Sequence, residues 1–144
     1  KLRETKRLPR LFKEQIAISV AFVIIVFSLV FILFFLEPIL LNILLSTKYA
    51  NSFDYIFYWG AIFAIGFITL NASFGLQVLK HFELISKINF VTMIITVLLA
   101  YFLIHSNGST GGLVALIIGQ TVSAIILWYY YTKETFSKKQ SSMV

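Results

Sequence analysis

Long apolar runs separated by short polar segments dominate the sequence. Residues 16–36 contain no charged side chain, and residues 55–79, 88–104 and 113–131 form three further apolar runs. A helix rises 1.5 Å per residue, so roughly 20 apolar residues cross a hydrocarbon core about 30 Å thick. The runs are continuous rather than alternating, which favours helices over strands. The pattern predicts an all-α integral membrane protein with four transmembrane helices.

The basic residues between these runs are distributed unevenly. Eleven of the twelve Lys and Arg residues lie in segments 1–15, 80–87 and 132–144, whereas the two other connections together contain only Lys48. Basic residues flanking membrane spans concentrate on the cytoplasmic side. We therefore expect both termini to be cytoplasmic, in a multi-pass protein of the cell inner (cytoplasmic) membrane. Residues 1–144 are expected to form one transmembrane region.

Three short segments are predicted to interrupt or join the spans. Pro38 follows the first run, and the helix is expected either to continue through it or to break there. Lys80 to Lys87 reads as a basic turn, and His105 to Gly112 reads as a loop because it is rich in turn-forming residues.

Composition supports a membrane protein and excludes several kinds of site. Hydrophobic residues make up 59% of the chain and charged residues 12%, about half the charge of a soluble domain. The chain has no cysteine, which excludes disulfides and thiolate chemistry. The net charge of +6 follows from topology and does not indicate nucleic acid. With no metal-ligand cluster, phosphate-binding glycine loop or nucleophile–base pair, we expect no enzymatic activity, metal or cofactor.

Small and polar residues recur at helical spacing within three of the spans. Helices in lipid associate through small residues and interhelical hydrogen bonds, so such stripes indicate either helix contacts or the wall of a polar cavity. A buried amide in lipid needs a hydrogen-bonding partner, which singles out Asn71 and Gln120. The stripes consist of Gly60, Ala64, Asn71 and Gly75; Asn89, Thr92, Thr96 and Ala100; and Gly112, Ala115, Gly119 and Ser123.

Two stretches carry a resemblance to a known family. Leu44 to Tyr55 reads LLSTKYANSFDY, and Gly108 to Glu134 reads GSTGGLVALIIGQTVSAIILWYYYTKE. Together they resemble the final helices of the O-antigen-type flippases of polysaccharide biosynthesis, in the multidrug/oligosaccharidyl-lipid/polysaccharide exporter superfamily. The resemblance covers roughly residues 9 to 136. Ser46-Thr47 departs from the family pattern, which has a glycine before the basic residue and tyrosine.

The resemblance implies that the chain is a C-terminal piece of a larger helical bundle. Such proteins move undecaprenyl-diphosphate-linked oligosaccharide across the cytoplasmic membrane for surface polysaccharide and lipopolysaccharide export. The implied partners are membrane lipid, the lipid-linked oligosaccharide and the remaining helices of the parent protein. The candidate residues for the substrate cavity are Asn71, Gln77, Lys80, Asn89, Thr92 and Gln120.

The sequence is also compatible with two other functions. A small four-helix accessory membrane protein for glycan transfer would be complete within a chain of this size. A small multidrug exporter would also have this length, but it would use a carboxylate within the membrane. Glu37 is the only carboxylate adjoining a span, and it falls at the outer interface, where water solvates it.

Overall fold

The chain folds into long helices. The computed structural model describes residues 2–43 and 55–140, with side chains described over 10–40 and 55–137. It contains α1 (Leu2–Ile43), α2 (Ile56–Val78) and α3 (Phe82–Gln140). All three are long and apolar enough to cross a membrane. The predicted all-helical architecture is confirmed for this part of the chain, but the described residues form three helices and not the four that were predicted. Lys48 and Ser46-Thr47 lie outside the described residues.

Helix α1 continues through Pro38 to Ile43, which resolves the alternative that the sequence left open. Proline removes one backbone hydrogen bond, but helices in membranes tolerate it when the freed carbonyl is satisfied locally. Most side chains of α1 are exposed, including Ile24, Phe31 and Phe35. Such a surface is unfavourable in water and suited to lipid. The exposed side of α1 therefore supports a membrane location.

A tight reversal connects α2 to α3. The N–H of His81 donates to the Leu76 carbonyl at 3.0 Å, and the N–H of Lys80 donates to the Gln77 carbonyl at 2.8 Å. Lys80 has φ +65°, and together with these two hydrogen bonds this conformation forms the Schellman motif that ends many helices. Because the reversal needs so few residues, α3 begins at Phe82. The predicted basic turn over Lys80 to Lys87 is therefore shorter than expected.

Helix α3 changes direction at Gly108, whose φ of 62° and ψ of −142° are not helical. This backbone conformation is accessible essentially only to glycine. The expected loop from His105 to Gly112 is helical on both sides of that residue, so a single glycine replaces it. We call residues 82–107 arm A and residues 109–140 arm B. The predicted third and fourth spans lie in arm A and arm B, respectively.

The two arms of α3 pack against each other in opposite directions. Gly111 lies against the Leu103 backbone, Gly112 against the Ile104 side chain, and Gly119 against Thr96. At one end of the bundle, the Tyr55 hydroxyl is 3.1 Å from the Ser109 hydroxyl. At the other end, His81 Nε2 lies 3.3 Å from Glu134 Oε2. The start of α2 therefore shares one end with the Gly108 bend, and the α2–α3 turn shares the other with the end of arm B.

The buried core lies near the α2–α3 turn. Tyr131 of arm B packs directly over Gly75 of α2, because any side chain at Gly75 would overlap the tyrosine ring. Helix α1 joins this core through Phe12, whose ring centroid is 5.3 Å from that of Tyr131. The buried core residues are Ala72, Leu76, Leu79, Ile85, Ile88, Leu127 and Tyr131.

Candidate functional site: a polar groove between α2 and α3

A groove of about 510 Å³ separates α2 from the two arms of α3. Its volume falls within the range of ligand pockets, roughly 300–1,000 Å³. We call it the polar groove, because hydroxyl and amide side chains alternate with aliphatic ones along its walls. It is lined by Gly66, Thr69, Leu70, Ser73, Asn89, Thr92, Met93, Thr96, Val97, Leu116, Gly119, Gln120 and Ser123.

Two glycines create the space for the polar side chains. A Cβ atom at Gly66 would lie 2.8 Å from Gln120 Oε1, so the absence of a side chain lets the amide approach the α2 backbone. A Cβ atom at Gly119 would lie 2.9 Å from the Thr96 Cβ and would overlap its hydroxyl. These glycines bring the helix backbones close together, as small residues do in membrane proteins.

The threonine hydroxyls use their hydrogens within their own helices. Thr69 Oγ1 donates to the Ile65 carbonyl at 2.9 Å, and Thr92 Oγ1 donates to the Ile88 carbonyl at 2.9 Å. Thr96 Oγ1 donates to the Thr92 carbonyl at 2.7 Å. A hydroxyl has one hydrogen but two lone pairs, so each of these oxygens can still accept a hydrogen bond. These three hydroxyls therefore offer acceptors to the groove, whereas the amide nitrogens of Asn89 and Gln120 can donate.

Gln120 lies at the base of the groove. Its Oε1 atom is buried and has no hydrogen-bond partner among the described residues. An unsatisfied buried carbonyl costs about 1–3 kcal/mol, so this amide is held in the fold at an energetic cost. All lining side chains are uncharged. The groove is thus suited to an uncharged group that both donates and accepts hydrogen bonds, such as a hydroxyl.

Three of the six predicted cavity residues line the polar groove and three do not. Asn89, Thr92 and Gln120 line the polar groove. Asn71, in contrast, is buried and donates through Nδ2 to Ser19 Oγ at 3.0 Å, which joins α2 to α1. Gln77 and Lys80 lie at the end of α2 in its capping turn.

Several groove residues were not among those candidates, notably Gly66, Thr69 and Ser73 of α2. The sequence signal that could have found them is the spacing of Gly66, Thr69 and Ser73, which places them on one side of a helix. Among the described residues, no three His, Cys, Asp or Glu side chains lie close enough to hold a metal ion. No protein-family model, curated protein or solved structure matches the chain.

Proposed function

We propose that the chain is part of a flippase that moves lipid-linked oligosaccharide across the cytoplasmic membrane. The observation that supports this most directly is the polar groove, a set of uncharged hydrogen-bonding groups lying between apolar helices. A glycan cannot cross hydrocarbon unless protein groups replace the water around its hydroxyls. The hydroxyl and amide groups along the groove match the hydroxyls of a sugar, which both donate and accept hydrogen bonds.

In this proposal the polar groove contacts the sugars and another part of the parent protein contacts the diphosphate. A diphosphate is normally bound by Arg, Lys or backbone N–H groups. The groove walls carry no cation. The remaining helices of the transporter would therefore bind the diphosphate.

We also propose that the chain crosses the membrane four times with both ends in the cytoplasm. Arm A and arm B are each longer than the roughly 20 residues that one crossing requires, and they run in opposite directions. The concentration of Lys and Arg in segments 1–15, 80–87 and 132–144 supports the cytoplasmic assignment of those segments.

The test compares two glutamines in the complete transporter. Deleting the parent gene should cause lipid-linked oligosaccharide to accumulate on the cytoplasmic leaflet while its synthesis continues. Restoring the gene with Gln120→Leu should give protein at the normal level but reduced surface glycan. Gln77→Leu is the matched control, because this glutamine lies outside the polar groove.

Normal surface glycan in the deletion strain would contradict the proposal. A block in synthesis before the lipid-linked stage would instead favour the accessory protein for glycan transfer. Equal export by the Gln120→Leu and Gln77→Leu proteins would remove the polar groove from the transport path.

A further inference from the structure

A second cavity, of about 390 Å³, lies on the other side of α2. It is bounded by the part of α1 from Ile16 to Ile24, by Ile68 of α2 and by Trp128 of arm B. We call it the apolar crevice. It opens to the outside of the bundle, because Ile16, Val20 and Ile24 are between 40% and 60% exposed.

The polar atoms in the walls of the apolar crevice are satisfied within the protein. Ser19 Oγ donates to the Gln15 carbonyl at 2.8 Å and accepts from Asn71 Nδ2 at 3.0 Å. Trp128 Nε1 donates to the Ile68 carbonyl at 3.0 Å. Because these groups have partners, they do not require water, and the wall is left with aliphatic and aromatic surface. Such a cavity favours hydrocarbon.

The dimensions of the apolar crevice suit one acyl chain of a lipid leaflet. From Ile16 to Ile24, α1 rises about 12 Å at 1.5 Å per residue. One leaflet contributes about half of the roughly 30 Å hydrocarbon core, or about 15 Å. Ile16 is also the first residue of the uncharged run, so the crevice starts at the headgroup boundary and extends inwards.

A lysine lies about one helical turn before the crevice on α1. Lys13 is exposed and precedes Ile16 by three residues, and helical spacing places Lys13, Ile16, Val20 and Ile24 on one side of α1. A lysine near the membrane surface is attracted to anionic lipid by about 1 kcal/mol. A cation one turn before the crevice therefore favours an anionic headgroup above an acyl chain.

We infer that the apolar crevice and Lys13 form a binding site for an anionic phospholipid of the surrounding leaflet. One acyl chain lies between α1 and Trp128, and the phosphate lies beside the Lys13 ammonium. The bound acyl chain fills the gap between α1 on one side and α2 and arm B on the other. This site is separate from the polar groove and does not depend on the transport proposal.

The test measures lipid binding to the purified full chain in neutral detergent by native mass spectrometry. Dioleoyl phosphatidylglycerol and dioleoyl phosphatidylcholine serve as the anionic and zwitterionic probes. Ile24→Trp fills the crevice and should weaken binding of both lipids about tenfold, because buried methylene contacts are lost. Ile25→Trp is the matched control, since Ile25 is 55% exposed, adjacent in sequence and outside the crevice.

The headgroup is tested with a separate substitution that leaves the crevice intact. Lys13→Gln should lower affinity for phosphatidylglycerol about fivefold and leave phosphatidylcholine unchanged. Lys133→Gln, also at an exposed position, should change neither affinity. Equal lipid affinity of the Ile24→Trp and Ile25→Trp proteins would overturn the site. A protein dimer that excludes lipid from the crevice would also overturn it. Equal affinity of the wild-type protein for both lipids would overturn the assignment of an anionic headgroup.

Discussion

The polar groove and the apolar crevice flank the same helix, α2, and both contain polar side chains, yet they suit opposite ligands. In the crevice, the Ser19 hydroxyl and the Trp128 indole have protein partners. In the groove, Gln120 Oε1 is buried without a partner among the described residues. The contrast shows that residue type alone does not make a membrane cavity polar. What decides is whether the hydrogen-bonding capacity of its walls has already been used.

The first prediction concerns the two membrane sides and has an all-or-none outcome. A membrane-impermeant maleimide applied to intact cells should modify Ser109→Cys but not Ser86→Cys or Ser137→Cys. All three positions are exposed. The same asymmetry would place Lys13, and with it the Ile16 end of the apolar crevice, on the cytoplasmic side.

Permeabilised cells provide the control for this labelling experiment, since all three cysteines should then react. Modification of Ser86→Cys in intact cells would contradict the four-span topology. The corresponding position in the first outer connection, Ser52, lies outside the described residues.

The second prediction concerns Gly119→Leu, which fills part of the polar groove and should have the largest effect on stability. Gly119→Leu forces a large side chain onto Thr96, and overpacking of this kind costs about 1–3 kcal/mol. Thermal unfolding in detergent measures the loss. Ile118→Leu is the control, because Ile118 is 39% exposed and the two side chains have nearly the same volume. Equal melting temperatures would mean that arm A and arm B do not meet at Gly119.

The third prediction separates a structural amide from a ligand-binding one. Asn71→Leu removes the hydrogen bond to Ser19 and should destabilise the protein by about 0.6 kcal/mol, the average for such bonds between membrane helices. Protein level and export should fall together, because the bond joins α1 to α2. A double-mutant cycle with Ser19→Ala isolates the interaction. A coupling energy of zero would place the two side chains apart.

The fourth prediction concerns a substitution that should cause no loss of stability. Gln120→Leu removes a buried acceptor that has no partner among the described residues, so the free energy of unfolding should not fall below that of the wild type. Comparison with Asn71→Leu under the same conditions checks the ranking. A larger loss with Gln120→Leu than with Asn71→Leu would reverse the roles assigned to the two amides.

Much of the candidate site could be anticipated from single helices but not assembled from them. The spacing of Asn89, Thr92 and Thr96 predicted one polar stripe, and that of Gly119 and Ser123 predicted another. Neither spacing says which neighbouring helix each stripe faces. Asn71 met the same criteria as Gln120, yet it pairs with Ser19 on α1.

The sequence by itself determined that the chain is helical and apolar enough for a membrane, because uninterrupted runs of about 20 apolar residues have few other stable arrangements. It also identified the amides that needed partners. Tertiary structure alone decided that the chain continues through Pro38, reverses within two residues at Lys80 and bends at the single residue Gly108. These outcomes depend on backbone dihedral angles and on contacts between residues far apart in sequence. Hydrophobic periodicity carries no information about either.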